Sequence, residues 1–272
     1  MTNQTTQMPI SGTTKLFGCI AHPTDHVRAP SLFNPQFSQK GQDAVMVPVD
    51  IAPDNIKAGI DGLRAMPNFI GAAVTIPHKM TIAALCDELG PVAKITGAVN
   101  AIRFIDGKLY GDNFDGAGFV AGLYGQGHDL RGKKCLIIGA GGAARAIAYA
   151  LSCEEIGGLT VYNRTKDKAA DLVKAVKMQK PEAMIAVAES LEVSSFDIVI
   201  NATALGLKED DPLPCDISSL SKEALLCDII MVPAETKLLK AAAKQGITCH
   251  YGRHMLDYQI ALISAFIGAD DI

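Results

Sequence analysis

The fold is decided where the apolar run Cys135-Leu-Ile-Ile138 meets Gly139-Ala-Gly141-Gly142-Ala-Ala144-Arg145. A short apolar run before a glycine-rich turn and an alanine-rich segment predicts a strand, a tight turn and a helix. In dinucleotide-binding folds the first glycine permits the turn, the second lets the backbone approach a pyrophosphate, and a small third residue lets the helix pack on the strand. The amides at the helix start would face the phosphates. This pattern predicts a dinucleotide site at Gly139, Gly141, Gly142 and Ala143, with a plain tight turn as the alternative if the motif is taken alone.

Short apolar runs alternate with helical patterns on both sides of this stretch, which predicts α/β architecture with parallel sheets covered on both faces. We predict two domains: a substrate domain over residues 1–115, completed by a C-terminal helix within 252–272, and a Rossmann-type domain over 116–251. The predicted helices of the first half are 54–65 and 77–88. The predicted strands are 15–20, 44–50, 69–75, 134–139, 159–163, 183–187, 196–201 and 225–230.

The composition points to small-molecule chemistry. The 272 residues carry a net charge of only −4, which does not favour a nucleic-acid partner. Seven cysteines occur without a Cys-x-x-Cys pair or a histidine cluster at zinc spacing, so we expect reduced thiols and no metal site. The N-terminus has neither a basic start nor an apolar segment, and no apolar run reaches the ~20 residues of a membrane helix. We expect a cytoplasmic protein without a membrane partner.

The residues after the second strand of the cofactor half favour NADP over NAD. An NAD-binding fold has an acidic residue about 20 positions past the glycines. Here Asn163-Arg164-Thr165, followed by Lys168, offers an amide, a hydroxyl and two cations, and a guanidinium can pair with a phosphate. Alternatively, Arg164 and Lys168 only solvate a helix start. Thr203, just after the strand that ends at Asn201, would line the crevice on the nicotinamide side, or form an ordinary turn.

Three further segments are Val74-Thr75-Ile-Pro77-His78-Lys79, Gly97-Ala-Val-Asn100, and Gly111-Asp112-Asn113-Phe114-Asp115-Gly116. In order and spacing they resemble the signature segments of shikimate dehydrogenases. The resemblance extends over nearly the entire chain. It includes the glycine turn, Asn163-Arg164-Thr165, Asn201-Ala-Thr203, and Gly252-Arg253-His254-Met255-Leu256 with Gln259.

The resemblance implies a catalytic pair, Lys79 and Asp115. Oxidation of a secondary alcohol requires removal of the hydroxyl proton, which a lysine can accept if its surroundings bring its pKa toward the working pH. The resemblance also implies that Asn100, Gln259 and Thr75 contact the substrate and that Gly252 belongs to the cofactor site. Each polar residue could instead satisfy backbone in a buried turn. His78 and His26 match no catalytic position that we assign, and we expect structural roles for them.

The chain departs from the family in the first substrate loop. Shikimate dehydrogenases have His-Ser-x-Ser-Pro there, with two serine hydroxyls that bind the substrate carboxylate, whereas this chain has His26-Val27-Arg28-Ala29-Pro30. Phe114 and Met231 replace a threonine and a tyrosine that are usual in the family. Each lost hydrogen bond should weaken binding by ~1 kcal/mol or more. Arg28 is a candidate replacement, because a guanidinium can engage a carboxylate in a bidentate manner.

These observations predict an NADP-dependent oxidoreductase that interconverts a shikimate-like cyclic hydroxy acid and its ketone, with altered specificity or weak shikimate activity. Quinate or aminoshikimate specificity is the alternative within enzymes. An NADP-binding sensor that has lost its activity is the alternative of another class. The predicted active site lies in a cleft between the domains, and a monomer or a homodimer is expected.

Overall fold

The computed structural model describes residues 9–25 and 27–272, so the expectation for His26 lies outside the described residues. The chain separates into two compact units. Unit 1 comprises Met1–Phe114 and Ile260–Ile272, and unit 2 comprises Asp115–Gln259. Each unit combines a six-stranded sheet with helices, so the predicted α/β fold class is confirmed. The domain bounds themselves stay a prediction.

Unit 1 contains a six-stranded sheet in the order β2-β1-β3-β5-β6-β4. Strand β1 pairs in parallel with both β2 and β3, while the β5–β6 hairpin adds antiparallel strands beside β3. The strands are β1 Lys15–Ala21, β2 Ala44–Asp50, β3 Phe69–Val74, β4 Glu88–Leu89, β5 Ala101–Ile105 and β6 Lys108–Asp112. The helices are α1 Ala29–Lys40, α2 Ile56–Arg64, α3 Lys79–Ala83 and α4 Pro91–Thr96, with a 3-10 turn at Pro53–Asn55.

Two parts of unit 1 differ from the sequence prediction. The helix predicted over 77–88 is wrong in length, because α3 ends at Ala83 and the chain then forms the short strand β4. The backbone N–H of Asp87 donates to the carbonyl of Leu109 on β6, so sheet pairing takes over from the helix. The β5–β6 hairpin turns at Asp106 and Gly107, which both have positive φ. A two-residue Asp-Gly turn of this kind matches the twist of an antiparallel pair.

The core of unit 1 contains an aromatic group that we call the phenylalanine cluster. Its buried members come from β1, α1, β2, β3, β5, the end of the last helix, α9 (Arg253–Ile267), and the 3-10 turn that follows α9. Ring centroids of Phe17 and Phe37 lie 5.4 Å apart, and those of Phe33 and Phe37 lie 6.2 Å apart. The cluster comprises Phe17, Cys19, Phe33, Phe37, Met46, Ala73, Ala101, Ile263, Ile267 and Ala269.

Unit 2 contains a six-stranded sheet in the order β12-β11-β10-β7-β8-β9, and every pairing in it is parallel. Counted along the unit, this is the doubly wound order 6-5-4-1-2-3 of the Rossmann fold. The strands are β7 Lys134–Ile138, β8 Gly158–Tyr162, β9 Ile185–Val187, β10 Ile198–Asn201, β11 Leu225–Asp228 and β12 Thr248–Tyr251. The helices are α5 Asp115–Gly125, α6 Gly142–Ser152, α7 Lys166–Gln179 and α8 Lys237–Lys244.

Helix α9 belongs to both units, since the division falls between Gln259 and Ile260. Within unit 2 its first half packs closely on α5. A Cβ added to Gly118 of α5 would lie 2.6 Å from the carbonyl oxygen of Met255 on α9, so glycine is required by this close approach. A 3-10 turn at Ala269–Asp271 ends the chain. Within the described residues, no helix is both long and apolar enough to span a bilayer, and all seven cysteines are free thiols.

Candidate active site

The glycine turn of unit 2 has the geometry that the sequence predicted for a pyrophosphate site. Gly139 has a φ of 119°, and a Cβ there would lie 2.7 Å from the carbonyl oxygen of Ala202. Gly141 is the N-cap of α6, and a Cβ added to Gly141 or Gly142 would meet nothing within 4 Å. Ala144 is fully buried in the core, so the helix packs tightly on the sheet. The turn therefore leaves open space in front of the amides that begin α6, as phosphate binding requires.

The turn lies at the topological switch point of the sheet. The residues after β7 lead to α6, while the residues after β10 lead in the other direction, and β7 and β10 are neighbours. Doubly wound sheets bind their ligands in the crevice at this point. Thr203 follows β10 there, and its hydroxyl and backbone N–H both donate to Oδ1 of Asn201, at 2.7 and 3.1 Å. These two bonds fix the turn that carries Thr203, and its place on the nicotinamide side stays a prediction.

Asn163, Arg164, Thr165 and Lys168 all follow β8, the neighbour of β7. The side-chain amide of Asn163 donates to the carbonyl of Thr165, which is the N-cap of α7. Arg164, Thr165 and Lys168 are exposed. Their cationic and hydroxyl groups are therefore accessible beside the glycine turn, because Gly139 N–H donates to the carbonyl of Tyr162 at the end of β8.

Gly252 has a clear structural reason to be glycine. A Cβ at this position would lie 2.5 Å from the carbonyl oxygen of Ile230, just after β11. The close approach brings the start of α9 to the carboxyl end of the unit 2 sheet. That Gly252 belongs to the cofactor site stays a prediction from the sequence.

A buried polar network that the sequence analysis did not assign lies at the same end of the sheet. The Asp228 carboxylate, at the end of β11, accepts hydrogen bonds from the Thr236 hydroxyl and from Ile230 N–H. Burial raises the pKa of Asp228, while the bonds from Thr236, Ile230 and Asn201 oppose that shift. Thr236 also caps α8 through its hydroxyl. The sequence carried a signal for this network, because the polar residues Asn201 and Asp228 end two adjacent parallel strands.

The backbones of Lys79 and of two predicted substrate residues, Thr75 and Asn100, lie at one end of the unit 1 sheet. Thr75 follows β3, and its N–H donates to the carbonyl of Ile20 on the parallel neighbour β1. Lys79 begins α3, and its carbonyl accepts from Val99 N–H. Asn100 follows directly, and its carbonyl accepts from Val74 N–H at 2.8 Å. The segment that carries Thr75 and Lys79 and the segment that carries Asn100 are thus joined by backbone hydrogen bonds.

Asn100 also has a structural task. Its side-chain Oδ1 accepts the backbone N–H of Phe114 at 2.9 Å, so the amide orients the segment that leads to Asp115. The alternative, that the Asn100 side chain forms a hydrogen bond to the backbone, is therefore correct for its oxygen atom Oδ1. His78, the N-cap of α3, is buried, and its Nε2 donates to the carbonyl of Ile51 at 2.7 Å. This is the structural role that we expected for His78.

Asp115 and Gln259 lie on adjacent helices of unit 2. Asp115 is half-buried at the first position of α5, and Gln259 is buried on α9. A Cβ added to Gly118 would lie 2.6 Å from the Cβ of Gln259, so the two helices are in direct contact at this level. Lys79 belongs to unit 1 and Asp115 to unit 2. Their pairing stays a prediction from the sequence.

The first loop of unit 1 differs from the other predicted site segments because it presents apolar side chains. Val27 and Ala29 are half-buried and pack against the phenylalanine cluster, and so does Phe114. The ring centroids of Phe114 and Phe266 on α9 lie 5.1 Å apart. Arg28, the candidate carboxylate ligand, is exposed at the N-cap of α1.

Comparison with known proteins places the chain in a family. The model of the shikimate dehydrogenase substrate-binding domain matches residues 19–102, and that of shikimate/quinate 5-dehydrogenase matches residues 124–209. A shikimate dehydrogenase (NADP(+)) from Rubrobacter xylanophilus is 37% identical over 96% of this chain and 93% of the relative. The chain belongs to the shikimate dehydrogenase family. The predicted resemblance and the predicted oxidoreductase class are confirmed.

Two solved structures are similar to this chain over most of its length. Shikimate 5-dehydrogenase from Listeria monocytogenes, solved with shikimate and NAD, has a TM-score of 0.85 and 32% identity, covering 96% of this chain and 93% of that one. A 5-ketofructose reductase of Gluconobacter sp. has a TM-score of 0.81 and 31% identity, with coverages of 92% and 91%. The curated relatives are named as NADP(+) enzymes, which confirms NADP as the predicted cofactor.

Proposed function

We propose that this protein is an NADP-dependent oxidoreductase that interconverts a secondary alcohol of a shikimate-like cyclic hydroxy compound with its ketone, and that its specificity differs from that of its shikimate-oxidising relatives. The observation that carries the proposal is the joint presence of two features. One is the open glycine turn at the switch point of unit 2. The other is the convergence of Thr75, Lys79 and Asn100 at one sheet end of unit 1. A binding module alone would not need the second feature.

The residues of unit 2 fit NADP. Gly139, Gly141, Gly142 and Ala143 would surround the pyrophosphate, and Arg164 and Lys168 would bind the ribose 2′-phosphate with help from Asn163 and Thr165. Thr203 and Gly252 would lie toward the nicotinamide. When bound, the oxidised cofactor accepts a hydride from the carbinol carbon of the alcohol.

The protein's own residues would handle the proton. Lys79 takes the proton of the substrate hydroxyl as the carbon–hydrogen bond breaks, and the product is a ketone, reduced cofactor and one proton. Asp115 would orient the Lys79 ammonium. Asn100, Thr75 and Gln259 would hold the remaining hydroxyls, with the amide nitrogen of Asn100 as its donor because Phe114 already uses the oxygen.

The substrate-side loop supports a changed specificity. A substrate that carries a carboxylate, such as shikimate, quinate or an aminated analogue, would have Arg28 as its candidate partner in this loop. Arg28 is exposed, and an exposed ion pair contributes only about 0–1 kcal/mol. One solved relative is named a 5-ketofructose reductase, so a ketose is a second candidate class of substrate. The apolar side chains of Val27 and Ala29 favour that candidate.

The test is a turnover assay with purified protein and NADP or NAD. The panel comprises shikimate, quinate, an aminated shikimate and 5-ketofructose, the last with reduced cofactor. We expect NADP-linked turnover of at least one member, and Lys79→Ala should lower kcat by about 10²–10⁴-fold without loss of NADP binding. Lys57→Ala removes an exposed lysine of α2 in the same unit and serves as the control.

Two outcomes would contradict the proposal. Tight NADP binding without turnover of any compound would support the sensor alternative. Turnover that survives Lys79→Ala would remove Lys79 from the chemical step. Within the same assay, Arg28→Ala should weaken the apparent affinity for the carboxylate substrates if Arg28 binds them. Cytoplasmic location and a monomeric or dimeric state stay predictions from the sequence.

A further inference from the structure

Three partly buried apolar side chains from two distant segments of unit 1 pack on the phenylalanine cluster. Val27 belongs to the loop between β1 and α1, Ala29 is the first residue of α1, and Phe114 follows β6. All three pack against the phenylalanine cluster while remaining partly accessible. We call Val27, Ala29 and Phe114 the apolar patch.

The apolar patch lies at the same end of the sheet as the predicted catalytic residues. The loop that carries Val27 leaves the carboxyl end of β1, and the segment that carries Lys79 leaves the carboxyl end of its parallel neighbour β3. His22 N–H donates to the carbonyl of Ile76, which joins the two loops directly. Phe114 is joined to the same place, because its N–H donates to Oδ1 of Asn100. The patch and the three polar residues therefore border one region of unit 1.

The loop that carries the patch is held in position by a polar anchor. Nδ1 of His22 donates to Asp50 Oδ1 at 2.7 Å, and the N–H and hydroxyl of Thr24 donate to Asp50 Oδ2. The hydrogen bond from His22 is the main reason that the pKa of Asp50 is lowered. Val27 N–H then donates to the carbonyl of Thr24. The apolar side chains of Val27 and Ala29 are thus placed by specific contacts.

The backbone around the patch provides few donors for an anion. The first turn of α1 includes Pro30, which has no N–H, and the N–H and hydroxyl of Ser31 both donate to the carbonyl of Arg28. No side chain caps α1. A carboxylate placed against the patch would lose hydration, which is costly. Its candidate charged partner in this loop, Arg28, is exposed, where an ion pair contributes only about 0–1 kcal/mol. An uncharged group would lose little hydration free energy at the same place.

We propose that the substrate presents an uncharged, partly apolar side to Val27, Ala29 and Phe114 while its hydroxyl-bearing side faces Thr75, Lys79 and Asn100, so that the enzyme takes neutral cyclic polyhydroxy alcohols or ketones in preference to their carboxylic acids. This inference rests on the proposed function and specifies its substrate class. The reaction is unchanged: the carbinol carbon loses a hydride to NADP, and the hydroxyl loses its proton to Lys79.

A matched pair of compounds tests the inference. Shikimate and its methyl ester share the ring and the three hydroxyls, and differ in the charge of one group. With NADP, the wild-type enzyme should use the ester with a kcat/KM at least about tenfold above that for shikimate, which corresponds to ~1.4 kcal/mol. Equilibrium binding of both compounds is measured in parallel, so the preference can be read even if neither is a fast substrate.

The paired variant is Val27→Ser with Ala29→Ser, which adds two hydroxyl donors to the loop. Hydrogen bonds to a charged group contribute more than neutral ones, so the ester-to-shikimate ratio should fall by at least about tenfold in kcat/KM. The control is Ala44→Ser. Ala44 packs against the same cluster from the start of β2, at the opposite end of the sheet, since it pairs with Lys15 at the start of β1. If the double variant does not fold, Val27→Thr adds one hydroxyl with nearly the same shape.

The outcomes separate this inference from the proposed function. An equal or higher kcat/KM for shikimate in the wild type, with no change of ratio in the serine or threonine variants, would overturn the inference and leave the proposed function in place. NADP-linked turnover of the ester together with a ratio that the added hydroxyls reduce would support it. If neither compound is turned over but the ester binds more tightly than shikimate, the inference stands on binding, and the oxidoreductase proposal is contradicted for this pair. If neither is turned over and shikimate binds as tightly as the ester or more so, both are contradicted.

Discussion

The glycine turn of unit 2 and the first loop of unit 1 both follow a parallel strand, but they relate differently to the family pattern. The glycine turn has a positive φ at Gly139 and open space at Gly141, both of which suit the predicted dinucleotide site. The first loop has replaced hydroxyl groups with the apolar side chains of Val27 and Ala29. The pyrophosphate of a dinucleotide is recognised mainly by backbone groups, so the residues of the turn must be small enough for close approach. A substrate is recognised by side chains, which can change while the fold is retained.

The largest expected effect comes from a substitution in the glycine turn of unit 2. Gly139→Ala puts a Cβ 2.7 Å from the Ala202 carbonyl oxygen at a backbone conformation that favours glycine. It should lower the free energy of unfolding by about 1–3 kcal/mol and abolish tight NADP binding. Urea unfolding and fluorescence titration with NADPH measure the two effects.

Gly141→Ala is the matched variant for that measurement. Gly141 has an ordinary φ of −76°, and the added Cβ meets only open space, so stability should change by no more than about 1 kcal/mol. NADP affinity should nevertheless fall, because the Cβ would occupy the approach of the pyrophosphate. Unchanged NADP affinity in Gly141→Ala would show that the cofactor does not lie over this turn.

A smaller effect concerns the choice of cofactor. Arg164→Glu replaces the proposed partner of the 2′-phosphate with a carboxylate, so the ratio of kcat/KM for NADP over NAD should fall by about 10–100-fold, as expected for a charge-assisted bond of ~1.5–3 kcal/mol. Lys174→Glu makes the same charge change at an exposed position farther along α7. If both variants shift the ratio equally, general electrostatics rather than a specific contact sets the preference.

Another expected effect concerns acid stability, for which unit 2 has a feature that the sequence did not predict. His250 on β12 is buried between Phe119, His128 and His254, with ring centroids 5.6, 5.6 and 5.0 Å away. Burial lowers the pKa of His250 to about 3, with smaller contributions from His254 and His128. Below the unfolded value near 6.5, the unfolded chain binds the proton and the folded chain does not.

Stability should therefore fall as the pH decreases from about 6.5 toward 4, with a slope of up to about 1.4 kcal/mol per pH unit from this residue. His250→Phe, which keeps a ring beside Phe119, should remove that part of the slope. Urea unfolding of both proteins between pH 4 and 8 gives the difference. Parallel pH profiles would show that other groups cause the acid sensitivity.

The sequence predicted the parts of the molecule that depend on local pattern. The strand–turn–helix around Gly139, the NADP-type residues after β8 and the order of the signature segments could all be read along the chain. The helix at 77–88 was overestimated, because β4 owes its existence to pairing with β6 rather than to its own residues. The Asp106-Gly107 hairpin carried a readable signal that the strand analysis did not use.

What could not be predicted depends on contacts between distant segments. The sequence shows that Val27, Ala29 and Phe114 are apolar, but only the fold shows that all three pack on one cluster. The anchoring of the first loop by Asp50 joins residues 28 positions apart, and the buried bond from Thr236 to Asp228 joins residues eight positions apart. The hydrogen bond from Phe114 N–H to the side-chain oxygen of Asn100 also joins residues that are distant in the sequence.

The central claim is that the cofactor half of the site is retained while the substrate half has lost its affinity for a carboxylate. The most direct measurement is one set of initial rates for the wild-type enzyme, with NADP and NAD as cofactors and with shikimate and its methyl ester as substrates. We predict the highest kcat/KM for NADP with the ester, at least about tenfold above NADP with shikimate. The highest value for shikimate, or for NAD, would contradict the account.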